Sequence, residues 1–256
     1  MKTILVTGSN GFLGTNLCLK LLSEGNKVIG LSRSETNKIN HINFKFIKSD
    51  IRETIPYLEC DEIYHFAGVA STSEISEHPL DVADTIVTGT INILRLAKIY
   101  NSKFLFASSM GVDHMGDVTA GRSCYDDTKR GMEAYVFHFA NTHGFEAKAI
   151  RIPSIYGPHM KIKESRVVSD FIKDVIKNGK LKIWDVDKLR PYCFVDDFIS
   201  DTINIMSTND KYINYIPSSF EISVKTLATL IQEAVLYNKD TMRGILETIR
   251  DIRERL

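Results

Sequence analysis

The fold is decided near the start of the chain, where residues 4–14 read Ile-Leu-Val-Thr-Gly-Ser-Asn-Gly-Phe-Leu-Gly. A short apolar strand runs into three glycines and then into a stretch of helical period, the context in which such glycines cradle phosphate groups. Gly8 permits the tight turn, Gly11 lets the backbone approach a pyrophosphate, and Gly14 lets the helix pack on the strand. The turn therefore predicts a dinucleotide with its phosphates at the helix N-terminus. The predicted cofactor-binding residues here are Gly8, Asn10, Gly11, Phe12, Leu13 and Gly14.

The same alternation of short apolar runs and helical segments continues along the first half of the chain. Continuous apolar strands separated by helices indicate a parallel sheet covered on both faces. The predicted strands are 4–6, 27–31, 44–47, 62–66, 103–107 and 147–152, and the predicted helices are 12–23, 80–100, 125–142, 165–177, 195–206 and 224–236. We therefore predict an α/β fold, a Rossmann doubly wound parallel sheet with a small C-terminal substrate lobe. The expected domains are a dinucleotide-binding domain, 1–153, and a substrate lobe, 154–256. The boundary is approximate, and the strand and helix near 192–206 can also pack on the first domain.

Composition narrows the class of protein. The 256 residues are 43% hydrophobic, enough for one full core with or without a small second lobe. Basic and acidic residues number 32 each, so no overall field attracts nucleic acid or an anionic membrane. The four cysteines lack metal-ligand spacing, and no apolar stretch is long enough to span a bilayer. We expect a cytoplasmic protein with no metal site, no nucleic-acid partner and no membrane partner.

The end of the second predicted strand bears on the choice of dinucleotide. A site specific for NAD usually carries a carboxylate there, whereas this chain has Ser32 and Arg33. A hydroxyl and a guanidinium suit a 2′-phosphate, so we expect NADP, with NAD as the alternative. Ile51, just after the third strand, is also expected to contact the cofactor, and so is Asp50 before it. Its carboxylate is expected either to accept a hydrogen bond from the adenine or to cap a helix.

A candidate catalytic group follows the fifth predicted strand. Tyr125 and Lys129 are four residues apart and so share one face of a helix, while Ser109 lies at the carboxyl edge of the sheet. A tyrosine with a pKa of about 10 is a poor base unless nearby positive charge stabilises its phenolate. We expect Tyr125 to exchange the substrate hydroxyl proton and Ser109 to hydrogen-bond the same oxygen. Lys129 is expected to lower the pKa of the phenol and to hold the nicotinamide ribose.

Further motifs make the chain resemble the extended short-chain dehydrogenase/reductase family, in its nucleotide-sugar epimerase/dehydratase branch. Residues 64–68 look like the family's His-Leu-Ala segment, residues 151–158 like its Arg-x-x-Asn-x-Tyr-Gly-Pro turn, and residues 190–197 like its Arg-x-Phe-x-x-Val-Asp-Asp signature. The resemblance implies that Arg190 clamps the substrate diphosphate and that Ser154 replaces the family's substrate-side asparagine. It also implies further cofactor contacts at Phe66, Ala67, Gly68 and Pro153.

The resemblance implies a small-molecule substrate, expected to be a nucleotide-sugar, and allows for a homodimer. Dehydratases and decarboxylases of the family carry an acid just after the catalytic Ser or Thr, but this chain has Met110 and Gly111, which argues against both reactions. Two interpretations of hydride transfer at C4 remain, a 4-epimerase and a 4-ketoreductase. Reduction of a non-sugar ketone and a non-catalytic dinucleotide-binding protein are the alternatives.

Overall fold

The structure is a computed structural model. It describes residues 1–35, 37–69, 71–114, 119, 122–160, 166–181, 183, 187–208 and 212–255. The chain forms two compact units. The first comprises Met1–Ile152 and Thr202–Tyr215, and the second comprises Pro153–Asp201 and Ile216–Leu256.

A parallel sheet forms the centre of the first unit. Its strands among the described residues are β1 (Thr3–Thr7), β2 (Lys27–Ser32), β3 (Phe44–Lys48), β4 (Glu62–His65), β5 (Lys103–Ser109), β6 (Ala147–Ile152) and β9 (Ile213–Tyr215). They lie in the order β3-β2-β1-β4-β5-β6-β9, and every neighbouring pair is parallel. The order turns back at β1, so the loops after β1 and β4 meet at the carboxyl edge where doubly wound folds bind ligands. The predicted fold class is confirmed.

Helices accompany this sheet. They are α1 (Phe12–Ser23), α2 (Thr72–Glu77), α3 (Pro79–Tyr100), a short 3₁₀ helix (Met110–His114) and α4 (Ser123–His143). Helix α3 starts with a proline at its first position and ends at Asn101 in the left-handed region, while α4 ends at Gly144 with φ 77°. Both helices bury an apolar face in one continuous core that includes Phe104, Phe106 and Val136. Burial of these faces stabilises the helices more than their intrinsic propensity does.

The second unit contains a smaller sheet and its own helices. Its strands are β7 (Ser154–Tyr156), β8 (Leu189–Phe194) and β10 (Phe220–Ser223), in the order β10-β8-β7. Its helices are α5 (Val167–Asn178), α7 (Val224–Tyr237) and α8 (Ile245–Arg255), which pack on one another. Helix α6 (Val195–Ser207) has residues in both units. Ile245, Ile249 and Ile252 are buried along one face of α8, which orients that helix toward the interior of the unit.

Candidate active site

The turn between β1 and α1 is tightly packed at its glycines. Gly8 has φ +73°, and a Cβ on Gly14 would lie 2.2 Å from the Gly8 carbonyl oxygen. The Gly11 N–H donates to that same oxygen at 2.9 Å. A side chain at position 14 would therefore push helix α1 away from the turn, and one at position 8 would meet the backbone of Ala67.

The start of α1 suits an anion. Its N-cap is Gly11, no side chain of the described residues caps it, and its first turn contains no acidic residue. Amide groups of the first turn and the helix dipole thus favour negative charge at this point. Phe12 and Leu13 lie half-buried in that turn. Asn10 is held from both sides, since its side chain donates to Ser34 and its carbonyl accepts from Lys38 at 3.0 Å.

The predicted residues after β2 and β3 lie in different surroundings. Ser32 ends β2 half-buried, and Arg33 is exposed just beyond it. The Asp50 carboxylate accepts hydrogen bonds from the backbone and the guanidinium of Arg52, and these bonds hold the pKa of Asp50 below its ordinary value. Residues 51–53 form a turn, so Asp50 caps a turn and not a helix. Ile51 is buried against Gly89 of α3.

Residues 66–68 follow β4 and contact the glycine turn. The Ala67 N–H donates to the Thr7 hydroxyl at 3.0 Å, and a Cβ on Gly8 would lie 2.9 Å from the Ala67 nitrogen. A Cβ on Gly68 would lie 3.6 Å from Lys129 Nζ. This segment therefore links the glycine turn to the candidate catalytic lysine.

His65 is buried at the end of β4, and its role is one that sequence reasoning did not assign. Its Nδ1 lies 2.8 Å from the Thr7 hydroxyl and its Nε2 lies 3.1 Å from the Thr90 hydroxyl. Burial, with a smaller contribution from the charge of Lys129, lowers the pKa of His65 to about 3. The neutral imidazole thus links Thr7 of β1, the residue before Gly8, to Thr90 of α3.

Lys129 is buried beside Tyr125 on α4. Its ammonium donates to the Ala107 carbonyl at 2.7 Å, and it lies 4.7 Å from the centroid of the Phe106 ring and 5.9 Å from that of Tyr125. Burial lowers the pKa of Lys129 to about 8. Tyr125 is only 6% exposed, and the Arg122 guanidinium lies 5.0 Å from its ring centroid. The phenol is therefore flanked by two cationic groups.

Ser109 ends β5 and is joined to α4 through a residue that the sequence did not single out. Its hydroxyl donates to Asp126 Oδ1 at 3.1 Å and accepts from the Gly111 N–H at 3.0 Å. Asp126 directly follows Tyr125, and this position beside a candidate catalytic residue was the only feature of the sequence that pointed to a role for it. Burial raises the pKa of Asp126, against the opposing effect of the nearby Arg122 and the Ser109 hydrogen bond. Ser109 and Lys129 thus each join β5 to α4 by a hydrogen bond, and Lys129 lies near the ring of Tyr125.

The remaining predicted site residues belong to the second unit. Pro153 comes directly before β7, and Ser154 opens that strand with its side chain exposed. Arg190 lies half-buried in β8, two residues before Tyr192, which is the register partner of Ser154. The proposed substrate contacts of the second unit thus lie on neighbouring strands of its small sheet.

Two further properties bear on the class of protein. Within the described parts of the chain, no helix combines the length and the apolar composition that crossing a membrane requires. In the same residues no cluster of three histidine, cysteine or carboxylate side chains is placed to hold a metal ion. The four cysteines are free thiols, three of them buried.

Comparison with known proteins adds to this geometry. The model of the NAD dependent epimerase/dehydratase family matches residues 4–215. UDP-glucuronic acid decarboxylase 1 of Xenopus tropicalis is 31% identical over 91% of this chain, and this chain spans 60% of that relative. UDP-glucuronic acid decarboxylase 3 of Arabidopsis thaliana is 32% identical over 91% of this chain and 74% of its own length.

Solved structures share the fold. UDP-glucose 4-epimerase of Thermotoga maritima with UDP-glucose superposes with a TM-score of 0.84 at 21% identity, covering 99% of both chains. UDP-glucose 4-epimerase of Thermus thermophilus, in complex with NAD, superposes with a TM-score of 0.81 at 20% identity, covering 99% of this chain and all of that one. At these identities the likeness concerns the fold.

Proposed function

Since the chain belongs to the NAD dependent epimerase/dehydratase family, we propose that it uses NAD or NADP to oxidise or reduce C4 of a nucleotide-sugar. The reaction is either 4-epimerisation or 4-ketoreduction. The observation that carries the proposal is the buried Lys129 ammonium, 5.9 Å from the ring of Tyr125, with the Ser109 hydroxyl bonded to the next residue along α4. These are the groups that proton exchange at a sugar hydroxyl requires.

The glycine turn and its neighbours fit a nicotinamide dinucleotide. The close approach of Gly14 to Gly8 leaves no room for side chains where a pyrophosphate would contact the backbone, and the uncapped start of α1 supplies donors. Ser32 and the exposed Arg33 favour a 2′-phosphate, and therefore NADP. When bound, the dinucleotide accepts or donates a hydride. The nearness of Lys129 to Gly68 supports the proposal that Lys129 holds the ribose of the nicotinamide.

Tyr125 acts as the acid and base of the proposed reaction. Its phenol takes the proton of the sugar hydroxyl on oxidation and returns a proton to the carbonyl oxygen on reduction. The positive charge of Lys129 favours the phenolate, and the pKa of about 8 leaves Lys129 mostly charged at neutral pH. The hydrogen bond to the Ala107 carbonyl fixes the ammonium, so the charge stays beside the phenol.

Decarboxylation of UDP-glucuronic acid is a second candidate, and the sequence relatives favour it. Oxidation at C4 of a sugar with a carboxylate on C5 produces a β-keto acid, which loses carbon dioxide readily. Both candidates therefore need the same oxidation by Tyr125, Lys129 and Ser109. They differ in the steps after oxidation, and the pair Met110 and Gly111 supplies no acid of its own for a later proton transfer.

A product assay tests the proposal. The purified protein is incubated with UDP-glucose, UDP-N-acetylglucosamine or UDP-glucuronic acid, each with NAD⁺ and with NADP⁺. The products are separated by anion-exchange chromatography and their masses are measured by mass spectrometry. An isomer of unchanged mass indicates epimerisation, and loss of carbon dioxide indicates decarboxylation. Oxidation of NADPH by a 4-keto nucleotide-sugar indicates the reductase. A protein that binds a dinucleotide and converts none of these compounds contradicts the proposal.

A further inference from the structure

The hydrogen bonds of Ser109 leave its hydroxyl without a free proton. A serine hydroxyl has one proton to donate and two lone pairs to accept with. The proton goes to Asp126 Oδ1 at 3.1 Å, and one lone pair accepts the Gly111 N–H at 3.0 Å. Only a single lone pair remains for a substrate. Ser109 as placed can therefore accept a hydrogen bond from a substrate but cannot donate one.

The Asp126 carboxylate is fixed in this position by its surroundings. A Cβ on Gly111 would lie 2.2 Å from Asp126 Oδ1, so the carboxylate fills the space that a side chain at position 111 would need. Its side chain is 13% exposed, and the Arg122 Nε lies 3.7 Å from Oδ2. The charged groups acting on it are Arg122, the N-cap of α4, and Asp127 of α4, and Ser109 contacts it from β5. Packing thus keeps the carboxylate on the serine.

A ketone oxygen has no proton, so it is stabilised only by donors aimed at it. An ionised Asp126 competes with that oxygen for the one proton of Ser109. A protonated Asp126 reverses the bond, because its own O–H donates to Ser109 Oγ and the serine proton turns to the ketone. The charge state of a single, partly buried carboxyl group therefore decides whether Ser109 offers a proton or a lone pair.

We propose that Asp126 is a positioning residue that acts through Ser109, opposing ketone binding when ionised and supporting it when protonated. This inference rests on the proposed C4 chemistry. Burial raises the pKa of Asp126, which brings the protonated form closer to neutral pH than for an exposed aspartate. Ketone reduction accordingly speeds up as the pH falls through the titration of Asp126.

The first test measures the apo protein and needs neither substrate nor cofactor. Carboxyl titrations are followed by NMR with ¹³C-labelled aspartate, and Asp126 is assigned from the signal lost in Asp126→Asn. The Ser109 hydrogen bond lowers the pKa of Asp126, so Ser109→Ala is expected to raise it. An unchanged Asp126 titration in Ser109→Ala overturns the proposal. This readout is independent of whether the proposed reaction is correct.

The second test measures reduction of a 4-keto nucleotide-sugar against pH. Asp126→Asn removes the competing charge, so kcat/KM at pH 7.5 is expected to rise about tenfold, the effect of freeing one charge-assisted hydrogen bond. The part of the low-pH rise in rate that follows the titration of Asp126 is expected to disappear, whereas the part due to Tyr125 remains. In the Ser109→Ala background the same substitution is expected to have no further effect.

Asp127→Asn is the matched control, since it removes the same charge one residue away and Asp127 has no hydrogen bond to Ser109 among those observed. Because the charge of Asp127 also raises the pKa of Asp126, this variant is expected to keep the low-pH rise in rate but to shift it to lower pH. Equal profiles for the two asparagine variants, or a persistent effect of Asp126→Asn without Ser109, overturn the proposal. Absence of turnover in the wild type rejects the proposed function instead, and the NMR titration then decides the role of Asp126.

Discussion

Gly14→Ala tests whether the turn between β1 and α1 is as close as the structure places it. The new Cβ would lie 2.2 Å from the Gly8 carbonyl oxygen, whereas ordinary contacts begin at 3.4 Å, so the backbone must open by about 1 Å. Gly8 cannot yield easily, because it is packed against the backbone of Ala67. Overpacking of this kind costs about 1–3 kcal/mol. For a chain of this size that lowers Tm by about 2–12 °C.

The same displacement moves the first amides of α1 away from a bound pyrophosphate. Loss of one charge-assisted hydrogen bond is expected to raise the Kd for the dinucleotide at least about tenfold. Calorimetric titration with NAD⁺ and NADP⁺ measures this, and scanning calorimetry measures Tm. Gly131→Ala is the control, because a Cβ at that exposed helical position meets nothing within 4 Å. The control is expected to gain about 0.5–1 kcal/mol and to keep its Kd. Wild-type Tm and Kd in Gly14→Ala would refute the reasoning.

Three further substitutions probe separate features. His65 stays neutral when folded, with its pKa lowered from 6.5 to about 3, so its contribution is full above pH 6.5 and is lost as the pH falls toward 3. At about 1.4 kcal/mol per pH unit, the free energy of unfolding measured in urea should fall by up to about 5 kcal/mol over this range in the wild type. This fall should be absent in His65→Gln and should remain in the control His138→Gln, whose histidine is exposed. Arg151→Met leaves Glu133, which is 1% exposed, without its bidentate partner and should lower the free energy of unfolding by about 3–5 kcal/mol. Adding Glu133→Gln should restore part of it, and an unchanged free energy of unfolding in urea contradicts this prediction. Arg33→Ala should weaken NADP⁺ binding about tenfold and leave NAD⁺ binding unchanged by calorimetry, and equal effects on both would remove the preference for NADP.

Local patterns in the sequence predicted most of the first unit. The continuous apolar runs and the helical periods gave α1 and β6 with their observed bounds, and the glycine spacing located the turn between β1 and α1. Strand β9 was missed because its three residues, two half-buried and one exposed, are too few to show a periodicity, although pairing with β6 includes it in the sheet. Helix α4 begins at Ser123, two residues before the predicted start. Helix ends depend on capping by neighbouring loops, which periodicity does not register.

The candidate site likewise contains some contacts that the sequence predicted and others that it did not. The spacing of Tyr125 and Lys129 is local, so a helix alone brings them to one face, as predicted. The bond between Ser109 and Asp126 joins residues 17 positions apart and exists only because Gly111 leaves space for the carboxylate. The bonds between Asp50 and Arg52 join residues only two positions apart, but they were not predicted, because they depend on a turn that the sequence pattern did not indicate. Contacts that depend on packing between elements could not be read from spacing.

Tyr125→Phe tests the central claim most directly, because it removes one hydroxyl from a side chain that is 6% exposed and leaves the ring in place. The measurement is a paired one, turnover of the nucleotide-sugar identified in the product assay and Kd for the dinucleotide. We predict that kcat falls about 10²–10⁴-fold while Kd stays within about threefold, since general acid–base catalysis supplies rate and not cofactor binding. Turnover close to that of the wild type would contradict the account, because the proton would then have another donor than Tyr125.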